Sequence, residues 1–150
     1  MYTLIYKSTH SGDIDWSALQ AMLAKSRKHN QLKQITGMLL VTKREFFQLL
    51  EGEEETIEAL YERIQQDPRH TEIVTLSRQT TPTRFFPDWY MRGVGIFDMS
   101  PEFTQMLYKT YGQDHGALTL PTTEEASYQL IEQLKLELFA MDERQRQQNP

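Results

Sequence analysis

The fold of this chain is decided by residues 35–52, which read ITGMLLVTKREFFQLLEG. Two apolar runs, 35–42 and 45–51, flank the polar pair Lys43-Arg44, and this spacing predicts two antiparallel strands joined as a hairpin. The second run carries Gln48 amid large apolar side chains. Because an unpaired buried polar group costs roughly 1–3 kcal/mol, the amide of Gln48 must have partners. A glutamine has a donor end and an acceptor end, and it can turn over between them.

Helices and further strands are predicted on both sides of this hairpin. The pattern predicts a strand over 2–8, a helix from Asp15 or Ser17 to about residue 28, and later a helix over 54–66. Strands over 72–79 and 90–97 and helices over 101–111 and 123–142 follow. The order β-α-β-β-α-β-β predicts an α+β, ferredoxin-like sheet with two helices on one face. We expect the C-terminal helices to cover the other face and the polar tail, 143–150, to fray.

The composition limits the classes of function. With 150 residues, of which 39% are hydrophobic, the chain is about the size of one domain with one sizeable core. A net charge of -5 without a long cationic run argues against nucleic acid as a partner. The absence of cysteine excludes disulfides and thiolate chemistry, and four scattered histidines give no metal-site pattern. No apolar stretch reaches the roughly 18–20 residues of a membrane span, so we expect a soluble cytoplasmic protein.

Four places in the sequence carry side chains with an alternative to a plain structural role. Tyr6 is either a core tyrosine or a redox-active phenol beside Gln48. The pair His29-Asn30, at the expected end of the first helix, is either a cap or a paired donor and acceptor for a ligand. Arg69, after a helix stop, either complements the helix dipole or contacts a ligand.

The fourth place is Trp89 and Met91, which alternate with Tyr90 and are therefore predicted to share one face of a strand. They are either ordinary core residues or a gate that changes its contact with Gln48. The acidic run Glu51-Gly52-Glu53-Glu54-Glu55 could suggest a metal site, but it is interpreted as a solvated loop and helix start. Phosphate-loop, Ser/His/Asp and HExxH patterns are absent from the sequence.

Taken together and in this order, these blocks resemble a BLUF domain, the family of blue-light sensors using FAD. The resemblance covers roughly residues 2–97. It rests on Leu4-Ile5-Tyr6, His29-Asn30, Ile35-Thr36-Gly37, Phe46-Phe47-Gln48-x-Leu50-Glu51-Gly52, Asp67-x-Arg69-His70 and Phe86-x-x-Trp89-x-Met91. The short segment that follows is similar to the stand-alone, PixD-like members of the family.

The resemblance implies a function and a set of site residues. FAD would lie between the two helices near the sheet, bound noncovalently, with Tyr6 as the light-driven donor of an electron and a proton. Gln48 would bridge Tyr6 and the flavin, and would be left rotated or tautomerised. The other residues that the resemblance places at the flavin are Asn30 at the pyrimidine end, the wall residues Ile35, Leu39 and Phe47, and Arg69 and His29; Trp89 and Met91 would carry the signal.

The resemblance also implies an organisation of the chain. Residues 1–98 would be the photosensor domain and 99–150 a helical extension that signals to an unidentified partner protein, in a protein that forms homo-oligomers and is not an enzyme. Two other readings stay open: a ferredoxin-like module that binds a small molecule but no flavin, and a small enzyme on the same scaffold. The lack of an acid–base or nucleophile cluster counts against the enzyme.

Overall fold

The computed structural model describes residues 1–148. In chain order its elements are β1 (Tyr2–Thr9), α1 (Trp16–Leu32), β2 (Thr36–Val41), β3 (Glu45–Gly52), α2 (Glu54–Gln66), β4 (Thr71–Thr80), β5 (Tyr90–Gly95), a 3-10 turn (Ile96–Asp98), α3 (Pro101–Tyr111), β6 (Gln113–Asp114), β7 (Ala117–Leu118) and α4 (Glu124–Gln148).

The main sheet has five strands in the order β4-β1-β3-β2-β5. Three of its four strand pairings are antiparallel, and β5 runs parallel to β2 at one edge. Tyr6 on β1 and Leu39 on β2 both lie opposite Gln48 on the central strand β3. The predicted α+β, ferredoxin-like fold is confirmed, and its register brings the phenol and the amide together.

Alternating side chains on each strand build a separate core on each face of the sheet. The α1–α2 core contains Leu4, Tyr6, Leu39 and Leu50 from the sheet, packed against residues such as Leu23 of α1 and Ile57 of α2. The α3–α4 core contains the alternate sheet residues Ile5, Met38, Leu40, Phe47 and Leu49, covered by the C-terminal helices. The C-terminal helices therefore cover the second face, as predicted.

The stripe of leucines on α4 explains how this helix is held. Leu130, Leu134 and Leu138 recur every four residues, so they lie on one face of the helix, and all three are fully buried. Burying each such side chain contributes about 1.5–3 kcal/mol relative to exposing it. Thr123 caps the helix, since its hydroxyl accepts from the Ala126 N–H at 3.2 Å.

Several boundaries differ from the sequence prediction; β5, for example, ends at Gly95 and not at residue 97, because a 3-10 turn begins there. α1 continues to Leu32 and is capped at Lys33, so Asn30 lies inside the last helical turn and not at a cap. α4 continues to Gln148, where ion pairs such as Arg144–Glu137 at 3.1 Å add to the helix, so the predicted fraying is wrong for residues 143–148. Residues 149 and 150, the rest of that tail, lie outside the described residues.

The start of β5 contains a backbone irregularity that the alternation rule missed. The ladder steps from Gly37 opposite Tyr90 to Met38 opposite Arg92, which leaves Met91 as an extra residue. Met91 has a φ of 83°, rare for a residue with a long side chain. The prediction that Trp89 and Met91 share a face is therefore wrong: Met91 belongs to the α1–α2 core, and Trp89 packs against the α3–α4 core.

Candidate functional site

A cavity of about 790 Å³ lies between α1 and α2, above the sheet. Its floor is formed by Tyr6, Leu39, Gln48 and Met91 from four adjacent strands. Apolar side chains on the facing sides of the two helices form its walls; these are Leu19, Met22 and Leu23 of α1 and Leu60 and Ile64 of α2. The site is thus an apolar slot with polar groups concentrated at its floor and rim.

A chain of hydrogen bonds crosses the floor of the cavity. The hydroxyl of Tyr6 donates to Oε1 of Gln48, and Nε2 of Gln48 donates to Sδ of Met91 at 3.1 Å. Gln48 is only 7% exposed, so its amide depends on these partners. A thioether sulfur is a weak acceptor, and the amide N–H can therefore exchange Met91 for a stronger acceptor.

The phenol of Tyr6 is enclosed by other rings and is 1% exposed. The rings of Tyr61 and His70 lie 5.2 and 5.9 Å away between centroids. Burial raises the pKa of Tyr6 well above its usual range, and nearby Tyr61 and Asp67 raise it further. Tyr6 therefore stays protonated at neutral pH and can act as a donor.

Asn30 lines the cavity and ties α1 to β5. Its Nδ2 donates to the carbonyl of Tyr90 at 3.2 Å, and its own backbone carbonyl accepts from the Ile35 N–H at 2.8 Å. Within the described residues, no hydrogen bond ends on its Oδ1. The amide can therefore still accept a hydrogen bond from a ligand in the cavity.

The rim of the cavity carries an arginine held by a carboxylate. Nε of Arg69 lies 3.0 Å from Oδ1 of Asp67, and its Nη1 reaches across to Sδ of Met22 on α1 at 2.7 Å. The hydrogen bonds from Arg69 lower the pKa of Asp67 to about 2. Arg69 therefore remains a cation at the cavity mouth, paired but more than half exposed.

His70, beside Arg69, turns inward instead. Its Nδ1 and the hydroxyl of Ser8 are 2.7 Å apart, and its ring lies 5.0 Å from that of Phe46. Burial lowers the pKa of His70, with a smaller opposing effect of Asp67. The neutral imidazole therefore adds a polar group to a mainly apolar wall.

The structure brings six of the predicted site residues to the cavity and leaves four away from it. Those that line it are Tyr6, Asn30, Leu39, Gln48, Arg69 and Met91. Ile35 is buried in the α1–α2 core but does not line the cavity, and His29 is exposed on α1. Trp89 and Phe47 belong to the other core.

Phe47 needs a correction, because successive side chains of a strand point to opposite faces. It is adjacent to Gln48 and so points into the α3–α4 core, and Phe46 lines the cavity in its place. The sequence interpretation also missed His10 and the wall residues of both helices. Leu19, Met22 and Leu23 have the spacing of one helical face, but spacing alone does not separate a cavity wall from a packed core.

The described part of the chain holds no group of His, Asp and Glu side chains suited to a metal ion. Among residues 1–148, no helix combines the length and the apolar character needed to cross a bilayer. The arrangement instead suits a planar heteroaromatic ligand whose polar edge meets amide groups while its faces contact aliphatic side chains.

Comparison with known proteins gives a family and several relatives. Residues 1–92 match the family model of sensors of blue-light using FAD. The chain is 38% identical over 97 residues to the blue light- and temperature-regulated antirepressor BluF of Escherichia coli, covering 65% of this chain and 23% of BluF. It is 35% identical over 88 residues to the photoactivated adenylate cyclase subunit beta of Euglena gracilis, covering 58% of this chain and 10% of the cyclase subunit.

A solved structure resembles the chain over more of its length. The ground state of BlsA superposes with a TM-score of 0.65 at 30% sequence identity, covering 75% of this chain and 74% of BlsA. By contrast, the chain spans about a quarter of the length of BluF and a tenth of the cyclase subunit. The similarity to those two longer proteins is therefore confined to a light-sensing module.

Proposed function

This chain belongs to the BLUF family, the sensors of blue light using FAD, and we propose that it binds FAD noncovalently and signals to a partner protein through its C-terminal helices. The module is a sensor and not an enzyme. The observation that carries the proposal is the buried chain Tyr6–Gln48–Met91 on the floor of a cavity large enough for a ligand.

The residues present fit a flavin. The Asn30 amide and the Gln48 N–H would pair with the carbonyl and N–H groups of the ring edge, and the aliphatic walls suit its faces. Arg63 and Arg69 line the same cavity, and guanidinium groups suit phosphate oxygens. Leu39 and Phe46 are the proposed sheet-side walls. Ile35, Phe47 and His29 have no direct role in this assignment.

The proposed photochemistry uses the hydrogen bonds already in place. A bound flavin supplies blue-light absorption and, once excited, a strong oxidant. Tyr6 gives up an electron, and its phenolic proton moves along the hydrogen bond to Oε1 of Gln48. Tyr6 then recovers both, and Gln48 is left rotated or tautomerised, with its N–H turned away from Sδ of Met91. The two states differ only at the Gln48 amide and its hydrogen bonds, so a two-state element must carry the change outward.

Contacts between β5 and α4 supply a candidate for that element. Arg92, next to Met91, makes two hydrogen bonds to Asp142 of α4, at 2.8 and 2.9 Å. Its guanidinium also lies 4.3 Å from the ring centre of Trp89. The Trp89 ring in turn makes a T-shaped contact with the ring of Phe139, with centroids 5.9 Å apart. A movement of Met91 would therefore act through its neighbours on the C-terminal helix.

The remaining parts of the proposal concern organisation. Residues 1–98 form the photosensor unit and 99–150 the output extension, in a cytoplasmic protein. Self-association is proposed as well, and it is supported by Leu136 and Phe139, two large apolar residues exposed on α4.

Absorption spectroscopy of the purified protein tests the central claim. We expect flavin absorbance in the dark, a shift to longer wavelength after blue light, and full recovery in the dark. Chromatography of the released cofactor should identify FAD, as opposed to FMN or riboflavin. A colourless protein after expression with ample flavin, or a spectrum that bleaches without shifting, would contradict the proposal.

A further inference from the structure

A buried carboxylate lies on β3, three residues from Gln48 and on the opposite face of the sheet. Glu51 is 0% exposed. Its Oε2 accepts from the hydroxyl of Thr36 at 2.8 Å and from the N–H of Phe86 at 3.2 Å, and its Oε1 accepts from the N–H of Phe85. Arg84 donates to the Thr36 hydroxyl at 2.7 Å and to the Glu51 carbonyl at 3.1 Å. Burying a carboxylate is costly without such partners, so this network is strongly held.

The network fastens a segment that must cross the whole sheet. Residues 81–89 connect β4 to β5, and these strands form opposite edges of the sheet. This crossing segment passes over the α3–α4 side, where Phe85 and Phe86 join that core. Glu51 lies on the middle strand, and its carboxylate therefore holds the crossing segment halfway along its path.

The far end of the crossing segment leads directly to the photochemical groups. The Trp89 N–H donates to the Phe86 carbonyl at 3.3 Å, and the two rings stack with centroids 4.9 Å apart. The Trp89 carbonyl accepts from the Gly37 N–H at 3.0 Å, and two residues later Met91 presents its sulfur to Gln48. β3 is thus bonded to the crossing segment through Glu51 on one face of the sheet, and to Met91, just after that segment, through Gln48 on the other.

These two attachments help to hold Met91 in its positive-φ backbone conformation. A methionine at a φ of 83° is strained, and such a conformation persists only when its surroundings fix it. The network at Glu51 fixes the chain at Phe86, five residues before Met91 in the segment that links β4 to β5. Loosening that network would let Met91 withdraw from Gln48 without any change at Gln48 itself.

We infer that Glu51 is a positioning residue of the photocycle, which holds Met91 against the Gln48 amide by fixing the crossing segment at Phe85 and Phe86. This inference rests on the function proposed above. Glu51 touches neither Tyr6 nor the cavity, so its effect on light sensing is indirect. The contact that it maintains, from Nε2 of Gln48 to Sδ of Met91, restrains the amide in the arrangement that the structure shows. Return to that arrangement after light should therefore slow when Glu51 is altered.

The test measures dark recovery of the red-shifted spectrum in wild type, Glu51→Gln, Met91→Leu and the double variant. Glutamine keeps the shape of Glu51 but turns an NH2 group toward N–H donors, which weakens the network. Glu51→Gln should slow recovery by at least about twofold, the lower end of interaction energies within one hydrogen-bond network. In the Met91→Leu background the same change should have no further effect, because the acceptor sulfur is gone.

Glu45→Gln is the matched control, since Glu45 lies on the same strand and pairs with Lys7 at 3.5 Å, away from the crossing segment. It should recover like wild type. If Glu51→Gln folds poorly, Thr36→Val is used in its place, because it removes the hydroxyl that donates to Glu51. The inference would be overturned if Glu51→Gln recovered at the wild-type rate, or if the double variant slowed recovery by the product of the two single effects. Either result would leave the proposed function standing. A wild-type protein with no red shift would overturn the proposed function and this inference with it.

Discussion

The hydroxyl of Tyr6 donates a hydrogen bond to Oε1 of Gln48, and the two residues are direct partners across the β1–β3 ladder. Their distance is thus set by sheet register and not by a loop. A slip of one residue would turn Gln48 to the other face and place an apolar neighbour in the cavity. The predictions below follow from this relationship and from the groups around it.

Tyr6→Phe should leave the protein yellow and abolish the red shift, because it removes the only phenol that is hydrogen-bonded to Gln48 within residues 1–148. Leaving Oε1 of Gln48 unpaired should lower the free energy of unfolding by roughly 1–3 kcal/mol. Light-minus-dark spectra and chemical denaturation measure the two effects. Tyr61→Phe is the control: its hydroxyl pairs with Thr75 at 2.6 Å, and this variant should keep its red shift. A normal red shift in Tyr6→Phe would refute the role of Tyr6.

Gln48→Leu should also bind flavin but show no red shift after blue light. Leucine fills a similar volume but cannot form hydrogen bonds to Tyr6 and the flavin. The same difference spectra test this. Gln20→Leu removes another amide, which donates to the Gly93 carbonyl at 3.3 Å outside the cavity lining, and it should behave like wild type. Persistence of the shift in Gln48→Leu would show that the rearranging group lies elsewhere.

Asn30→Ala should weaken flavin retention more than photochemistry. The loss of one or two hydrogen bonds to the ring should cost on the order of 1–3 kcal/mol of binding free energy. Titration of the flavin-free protein measures this. The adjacent His29→Ala, on the exposed side of α1, should bind flavin normally. Equal flavin affinities for these two variants would mean that Asn30 does not contact the flavin and has only the structural hydrogen bond to Tyr90.

The Asp67–Arg69 pair should make a small, pH-dependent contribution to stability. The pKa of Asp67 falls from 3.8 to about 2 on folding, so the contribution is complete above about pH 4 and is lost as the pH falls toward 2. For a partly exposed pair we expect roughly 0.2–1 kcal/mol. Denaturation of wild type and Asp67→Asn between pH 2 and 6 should show a difference that shrinks at the acid end. A difference independent of pH would mean that the pair contributes no charge-dependent stability.

Asp142→Asn should weaken the attachment of β5 to α4 and leave the red shift intact. Hydrogen exchange compared in dark and light should show a light-induced change over residues 100–142 in wild type and a smaller one in the variant. Glu143→Gln, which alters an exposed pair with Arg146, should match wild type. If light changes neither exchange in this region nor the oligomer size by gel filtration, the signal leaves the protein elsewhere.

The order of elements could be predicted from sequence because the helix and strand periods are clear. α2 and α3 match their predicted bounds, since Glu54 follows Gly52, Asp67-Pro68 stops α2, and Pro101 starts α3. Tyr6, Gln48 and Asn30 were predicted as site residues from motif order, and all three line the cavity. Their meeting in space depends on strand register, which the hairpin and the alternation of β3 specify.

Two parts of the site were beyond the sequence. The bulge at Met91 turns this side chain to the opposite face from Trp89. The nearby sequence does not indicate a bulge, because the usual signal for a positive φ is glycine and this position is a methionine. The prediction that the acidic run from Glu51 to Glu55 is solvated is wrong for Glu51, which is fully buried and bonded to Thr36 and Phe85, far apart in the chain. Long-range contacts of this kind are decided by tertiary packing and not by local propensity.

The match to the family ends at residue 92, inside β5, whereas the apolar residues on the far face of the sheet are buried beneath helices that follow it. A chain that kept only the matched part would expose a continuous apolar patch of the size that marks an interaction surface. The helical layer therefore supplies the apolar cover that the matched part of the chain lacks. Because Trp89 packs into this cover and Arg92 bonds to Asp142 of α4, whatever covers the sheet also lies against the start of β5, next to Met91.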